Sequence, residues 1–262
     1  MKFTYDIDQL LPYVNWVYFY HAWQVKDEGE QNKLRSEAED FLTTIQHRRR
    51  VYALFTLEKA HADGDDIVVE RTDGNVCLPC LRQQQAGSDC LCLADYIGLS
   101  DDRVGLFATS TDASMVDSCG DDPYQRMMAQ LLADRLAEAA AERLHQEVRR
   151  TLWGYAHDET VSIGDMLQGR YQGIRPAVGY PSLPDTGLNF VLDRLLHLQQ
   201  IGIALTESGA MRPHASVTGL MISHPQARYF AVGKIGNDQL LDYARRRQMP
   251  LETIKKFLSA NL

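Results

Sequence analysis

Between Pro123 and Trp153 the chain carries a pattern that fits one long helix and little else. Apolar residues fall at Met128, Leu132, Leu136, Ala139, Ala140, Leu144 and Val148, the three-to-four spacing of a single buried face. Asp121-Asp122 before Pro123 supplies a start, because proline suits the first helical turn. A helix this long with one apolar stripe needs other elements to bury that stripe. Glu138 and His145 lie near the same face, where a polar group is more often a satisfied structural residue than a site.

The rest of the chain mixes helices with hairpins. Residues 6–25 begin acidic and turn aromatic, predicting a short helix over Leu10, Leu11 and Val14 with Trp16 and Phe19 packed behind it. The stretch 28–62 reads as a helix around Leu34, Ala38, Phe41, Leu42 and Ile45, followed by a strand over 51–62. "DGDD" (63–66) marks a turn, and 67–81 reads as two strands joined at Asp73-Gly74, a strong hairpin signal. Residues 103–111 form another strand-like run. A shorter helix is expected within 187–211, ending near Gly202, and two strands within 215–235 around a turn at His224-Pro225. Two short helices close the chain, hinged at Met249-Pro250 with proline at the first helical position. Elements in this order predict an α+β fold and not a doubly wound one, and 262 residues allow one large domain or two small ones.

Charge and composition exclude several functions. The net charge of -8 argues against a general nucleic-acid binder. The basic runs "RRRV" (48–51) and "RRR" (245–247) are expected to be solvated helix faces or helix ends. No apolar run approaches the ~20 residues of a membrane helix, and the acidic N-terminus is no signal peptide. A cytoplasmic setting without membrane contact is the expectation. No H-E-x-x-H, nucleophile elbow, P-loop or dinucleotide fingerprint is present.

Four cysteines, Cys77, Cys80, Cys90 and Cys92, fall at ligand-like intervals, and Cys119 stands apart. Tetrahedral zinc is one reading. Against it, Cys77 and Cys80 lie in a predicted strand, where residues three apart face opposite sides. Free cysteines are expected and no metal, with a redox switch as a third alternative.

"YQGIRPAVGYPSLPD" (171–185) sets stiff residues around one arginine and one tyrosine, more than a plain connection needs. With "LADRLAEAAAERLHQEVRRTLWGYA" (132–156) and "LTESGAMRPHASVTGLMISHPQARYFAVGKIGNDQLLDYARRR" (205–247), it resembles the activation domain of cobalamin-dependent methionine synthase. Weaker matches are "YVNWVYFYHAWQV" (13–25), "LRQQ" (81–84) and "CLADYIG" (92–98). The resemblance implies a single curved, C-shaped α+β domain over 1–262, a twisted antiparallel sheet flanked by helices, that binds S-adenosylmethionine and docks on a cobalamin-binding domain. There it supports reductive methylation of cob(II)alamin, with a flavodoxin-type reductase as electron donor. It places ligand contacts at Arg175, Ala177, Tyr180, Tyr229 and Phe230, and keeps an acid at Glu138. Arg175 then clamps the ligand carboxylate. Gly173 and Gly179 let the backbone approach the ligand, while Pro176 and Pro181 fix the loop. No side chain is expected to act as acid or base, since methyl transfer from sulfonium to cobalt moves no proton.

Three positions depart from the family pattern. Asn15 stands where an aspartate contacts the ligand, Gly169 where an acid lines the site, and Phe230 where a tyrosine is common. Cobalamin must come from a partner domain or protein, because no cobalamin, folate or homocysteine motif is present. The alternative reading is an interaction module that docks on a corrinoid protein with weakened or lost S-adenosylmethionine binding.

Overall fold

The computed structural model describes all residues except His47, Arg48, Ala86, Ser88, Ser118 and Gly120. Strand β2 (Val51–Asp63) organises the sheet. One edge of it pairs with β1 (Lys2–Tyr5) along its first half and with β3 (Asp66–Glu70) along its second. The other edge pairs with β5 (Asp102–Thr111), and β5 in turn with β8 (Ser216–Met221). With β4 (Val76–Pro79) beside β3, this makes a six-stranded antiparallel sheet, curled into a half-barrel. β6 (Ala204–Leu205) and β7 (Met211–Arg212) form a separate hairpin.

Strand alternation gives the sheet two buried faces. Ala53, Phe55, Phe107, Val217 and Met221 face one core, against the stripe of α5 (Pro123–Glu147). Leu54, Leu106, Ala108, Leu220 and Ile222 face the other, against α7 (Leu188–Leu196). Every apolar position that predicted the long helix is buried, and Asp122 caps it by accepting from the backbone N–H of Tyr124 and Gln125. The helix closes with a π-turn over Val148–Leu152. α3 (Glu28–Ile45) is capped by Asp27 and buries Leu34, Ala38 and Leu42 in the first core. The remaining short helices of the first half are α1 (Ile7–Leu10), α2 (Trp16–Ala22) and α4 (Ser114–Asp117). α6 (Ile163–Met166) follows the π-turn, and α8 (Asn237–Arg246) and α9 (Leu251–Phe257) end the chain over a third apolar cluster.

Several expectations need correction. The N-terminal segment is not one helix: a 3-10 turn, Leu11–Tyr13, separates α1 from α2, because Pro12 has no N–H to continue α1. Only one strand forms in 215–235. The open edge of β8 is taken by the 174–178 loop, so residues 226–235 run as irregular chain. Pro250 is the N-cap of α9 and not its first residue. The run 245–247 does end α8, as expected, but the described arginines of both runs are held in ion pairs and are not simply solvated. Arg49 pairs with Asp112, Arg50 with Asp6, Arg246 with Asp66 and Arg247 with buried Asp185. Arg48, of the first run, lies outside the described residues.

Candidate functional site

A cleft of about 770 Å³ opens between α5, the 171–182 loop and the segment after β8. Asn15 enters it just before α2, Glu138 from α5, and Arg175, Ala177 and Tyr180 from the loop; Tyr229 and Phe230 close the far side. Gly169 also lines it, at φ +72 and with open space where a side chain would stand. Gly179 does not line it. Its N–H donates to the Leu183 carbonyl at 2.8 Å, so it serves the turn and not the ligand approach.

The loop is rigid because it is bonded as sheet. Ile174 and Ile222 exchange both backbone hydrogen bonds at 2.9 Å, the Val178 N–H donates to the Thr218 carbonyl, and the Leu220 N–H donates to that of Pro176. The close approach falls at Gly219, where a Cβ would stand 2.3 Å from the Pro176 oxygen and 2.9 Å from Ala177 Cα. Gly173 is a second such point, 2.4 Å from the Ile222 carbonyl oxygen. Its freedom lets the loop reach β8, not a ligand. The same loop holds the far wall: the Ser182 hydroxyl accepts from the Phe230 N–H at 3.1 Å and also contacts the Phe230 carbonyl oxygen. The Val232 N–H donates to the Pro181 carbonyl at 2.9 Å.

Arg175 projects into this frame. Its Nη1 donates to the Tyr171 hydroxyl at 2.8 Å, and its Nη2 lies 2.7 Å from Glu142 Oε2. Burial alone would lower the Arg175 pKa, but Tyr171 and Glu142 hold it well above its ordinary value, so the group is a fixed cation. Beneath it, Arg149 stacks its guanidinium 4.1 Å from the centre of the Tyr171 ring and pairs with Glu159 through two bonds of 2.8 and 2.9 Å. Tyr171 is thereby held between two cations. His145 meets the Tyr171 ring edge-on, and its Nε2 is 3.0 Å from the Tyr155 hydroxyl. Burial, then Arg149 and Arg175, pushes its pKa well below the usual value, so it stays neutral. At the rim, the Tyr180 hydroxyl donates to Glu138 Oε1 at 2.5 Å. The Asn15 side chain makes no hydrogen bond among the described residues.

Sequence reasoning missed Arg135, Glu142 and Arg149. Their signal was present: 135, 138, 142, 145 and 149 recur at three- and four-residue steps, a polar stripe on a helix otherwise rich in alanine and leucine. Cys80 and Cys92 are buried side by side away from the cleft, and the Cys77 thiol donates to Asp66 at 3.2 Å. Among the described residues, no three or more His, Cys, Asp or Glu are placed to hold a metal. No helix there is long and apolar enough to cross a membrane.

Fold and cleft together describe an α+β domain with a built recognition site, whose fixed cation lies beside an aromatic wall. Residues 6–248 match the family described as "Vitamin B12 dependent methionine synthase, activation domain", and the chain belongs to that family. It is also similar to the crystal structure of the MetH reactivation domain bound to AdoHcy. Identity is 34%, the match covers 100% of this chain and 90% of the other, and the TM-score is 0.93.

Proposed function

We propose that this domain binds S-adenosylmethionine in the cleft and presents it to a cobalamin-binding domain for reductive methylation of cob(II)alamin. The observation that carries the reading is Arg175, a cation fixed by Tyr171 and Glu142 in a cleft whose volume suits a ligand of this size. AdoHcy, the ligand of the similar structure, differs from S-adenosylmethionine only by the methyl group on sulfur.

In this reading Arg175 takes the ligand carboxylate with a planar pair of N–H donors. Tyr180, Tyr229 and Phe230 line the adenosyl portion, Ala177 keeps the floor low, and Asn15 and Glu138 offer acceptors. Gly179 acts through the turn that carries Tyr180. The protein's part is positioning and exclusion of water, and no side chain transfers a proton. The chemistry at cobalt belongs to the partner's cofactor. A flavodoxin-type donor supplying the electron, a cytoplasmic setting and residues 1–262 acting as one unit complete the proposal.

The test combines the purified domain with a cobalamin-binding module, a one-electron reductant and methyl-labelled S-adenosylmethionine. Label should reach cobalamin only when the domain is present, and Arg175→Ala should abolish the transfer. Transfer at the same rate without the domain contradicts the proposal. A second reading, docking with weakened ligand binding, is favoured by Gly169, which lines the cleft without a side chain, and by neutral Asn15. It predicts partner binding that S-adenosylmethionine leaves unchanged.

A further inference from the structure

Glu142 is a carboxylate in an unusual position. It lines the cleft from α5 with its side chain 6% exposed, and Oε2 pairs with Arg175. Its other oxygen, Oε1, is buried with no hydrogen-bond partner. An unmatched buried acceptor on a charged group is costly, and that cost rises if its one cation is drawn elsewhere.

A ligand carboxylate arriving at Arg175 would share or draw off the guanidinium that neutralises Glu142, whose side chain is only 6% exposed. The exchange is balanced only if the ligand also brings a positive charge within reach of Glu142. An α-amino acid does so, because its ammonium sits on the carbon next to its carboxylate.

We propose that the Arg175–Glu142 ion pair is a template for an α-amino-acid head group, the ligand carboxylate taking Arg175 and its ammonium taking Glu142. Glu142 is then the residue that makes a free α-amine a requirement for binding. The inference rests on the reading of the cleft as an S-adenosylmethionine site. The other acceptors are less suited. Glu138 already accepts from Tyr180 at the rim, Asn15 is uncharged, and Glu159 is committed to Arg149 by two bonds. Ligands lacking the amine or the carboxylate should therefore be rejected, although they keep the adenosyl group.

The experiment is a calorimetric titration of wild-type protein and Glu142→Gln with AdoHcy and with its deaminated analogue, which keeps the carboxylate. Glutamine retains the size of the side chain and an acceptor for Arg175. Wild type should prefer AdoHcy by about tenfold or more, the worth of a charge-assisted bond. In Glu142→Gln, AdoHcy should weaken until that preference falls to about threefold or less, with the analogue nearly unchanged. Equal weakening of both ligands, or no weakening, overturns the inference. So does a wild type that binds the two alike, a measurement that needs no variant to fold. A wild type that binds neither ligand overturns the reading of the cleft and this inference with it, whereas binding without preference for the amine overturns only the inference.

Discussion

The backbone N–H of Arg175 donates to the phenolic oxygen of Tyr229 at 2.9 Å, joining residues 54 positions apart across the cleft. The bond aligns the arginine's own main chain with the wall that faces it. It also helps explain why residues 226–235 are not a strand: their polar groups are spent on the loop, through Tyr229, Phe230 and Val232. Tyr229→Phe removes this acceptor and leaves the ring in place. S-adenosylmethionine should bind about three- to tenfold more weakly, and the unfolding temperature should hardly move, consistent with one net hydrogen bond. Calorimetry and thermal unfolding on the same sample check both.

Gly219 is the contact on which the loop rests. A methyl group there would meet backbone atoms of Pro176 and Ala177, which have no rotamer to yield. Gly219→Ala should destabilise the domain by about 1–3 kcal/mol, as overpacking does, and weaken ligand binding as the loop lifts. Gly202→Ala is the control for binding: its φ of +79 makes the variant lose stability, but nothing lies within 4 Å of its Cβ and it does not line the cleft. Urea unfolding and ligand titration should show both effects in Gly219→Ala, and a loss of stability with unchanged binding in Gly202→Ala.

Arg149 is fully buried, and Glu159 is its only carboxylate partner among the described residues. Removing one member strands the other. Glu159→Gln should cost about 3 kcal/mol or more, read as a lower urea midpoint at unchanged slope. Replacing both residues by apolar ones of similar size should recover part of that loss.

His145 makes stability depend on pH. Its folded pKa is depressed by burial and by Arg149 and Arg175, while Tyr155 and Tyr171 beside it stay neutral. Above the ordinary histidine value of about 6.5 both folded and unfolded forms are neutral there, and the fold keeps its full stability. Below it the unfolded chain binds a proton that the folded one refuses. Stability then falls by about 1.4 kcal/mol per pH unit until the folded pKa is reached. Urea midpoints between pH 7.5 and 5, at about half-unit steps, should show this decline, and His145→Gln should flatten it.

The sequence made the long helix legible because its period is local, and every residue of the stripe is buried. The loop was legible as stiff, and Arg175, Tyr180 and Tyr229 fall in one cleft. What could not be read depends on distant partners. "RYFAV" has strand propensity, but the edge it would need is filled by a segment some fifty residues earlier, at Ile174 and Ala177. The pairing of Arg175 with Glu142 and of Arg149 with Glu159 is set by how loop and helix meet, and no spacing rule encodes that. In sequence, Gly173 and Gly179 read as points where the backbone meets a ligand, but the neighbour of each is the protein itself, Ile222 for Gly173 and Leu183 for Gly179.

The central claim is that Arg175 holds S-adenosylmethionine in this cleft. Its most direct test is a calorimetric titration of the purified domain with S-adenosylmethionine, alongside Arg175→Ala. The account predicts saturable binding in the micromolar range by wild type and none by the variant, with the variant still folded. No binding by wild type at millimolar ligand, or equal binding by both proteins, would contradict it.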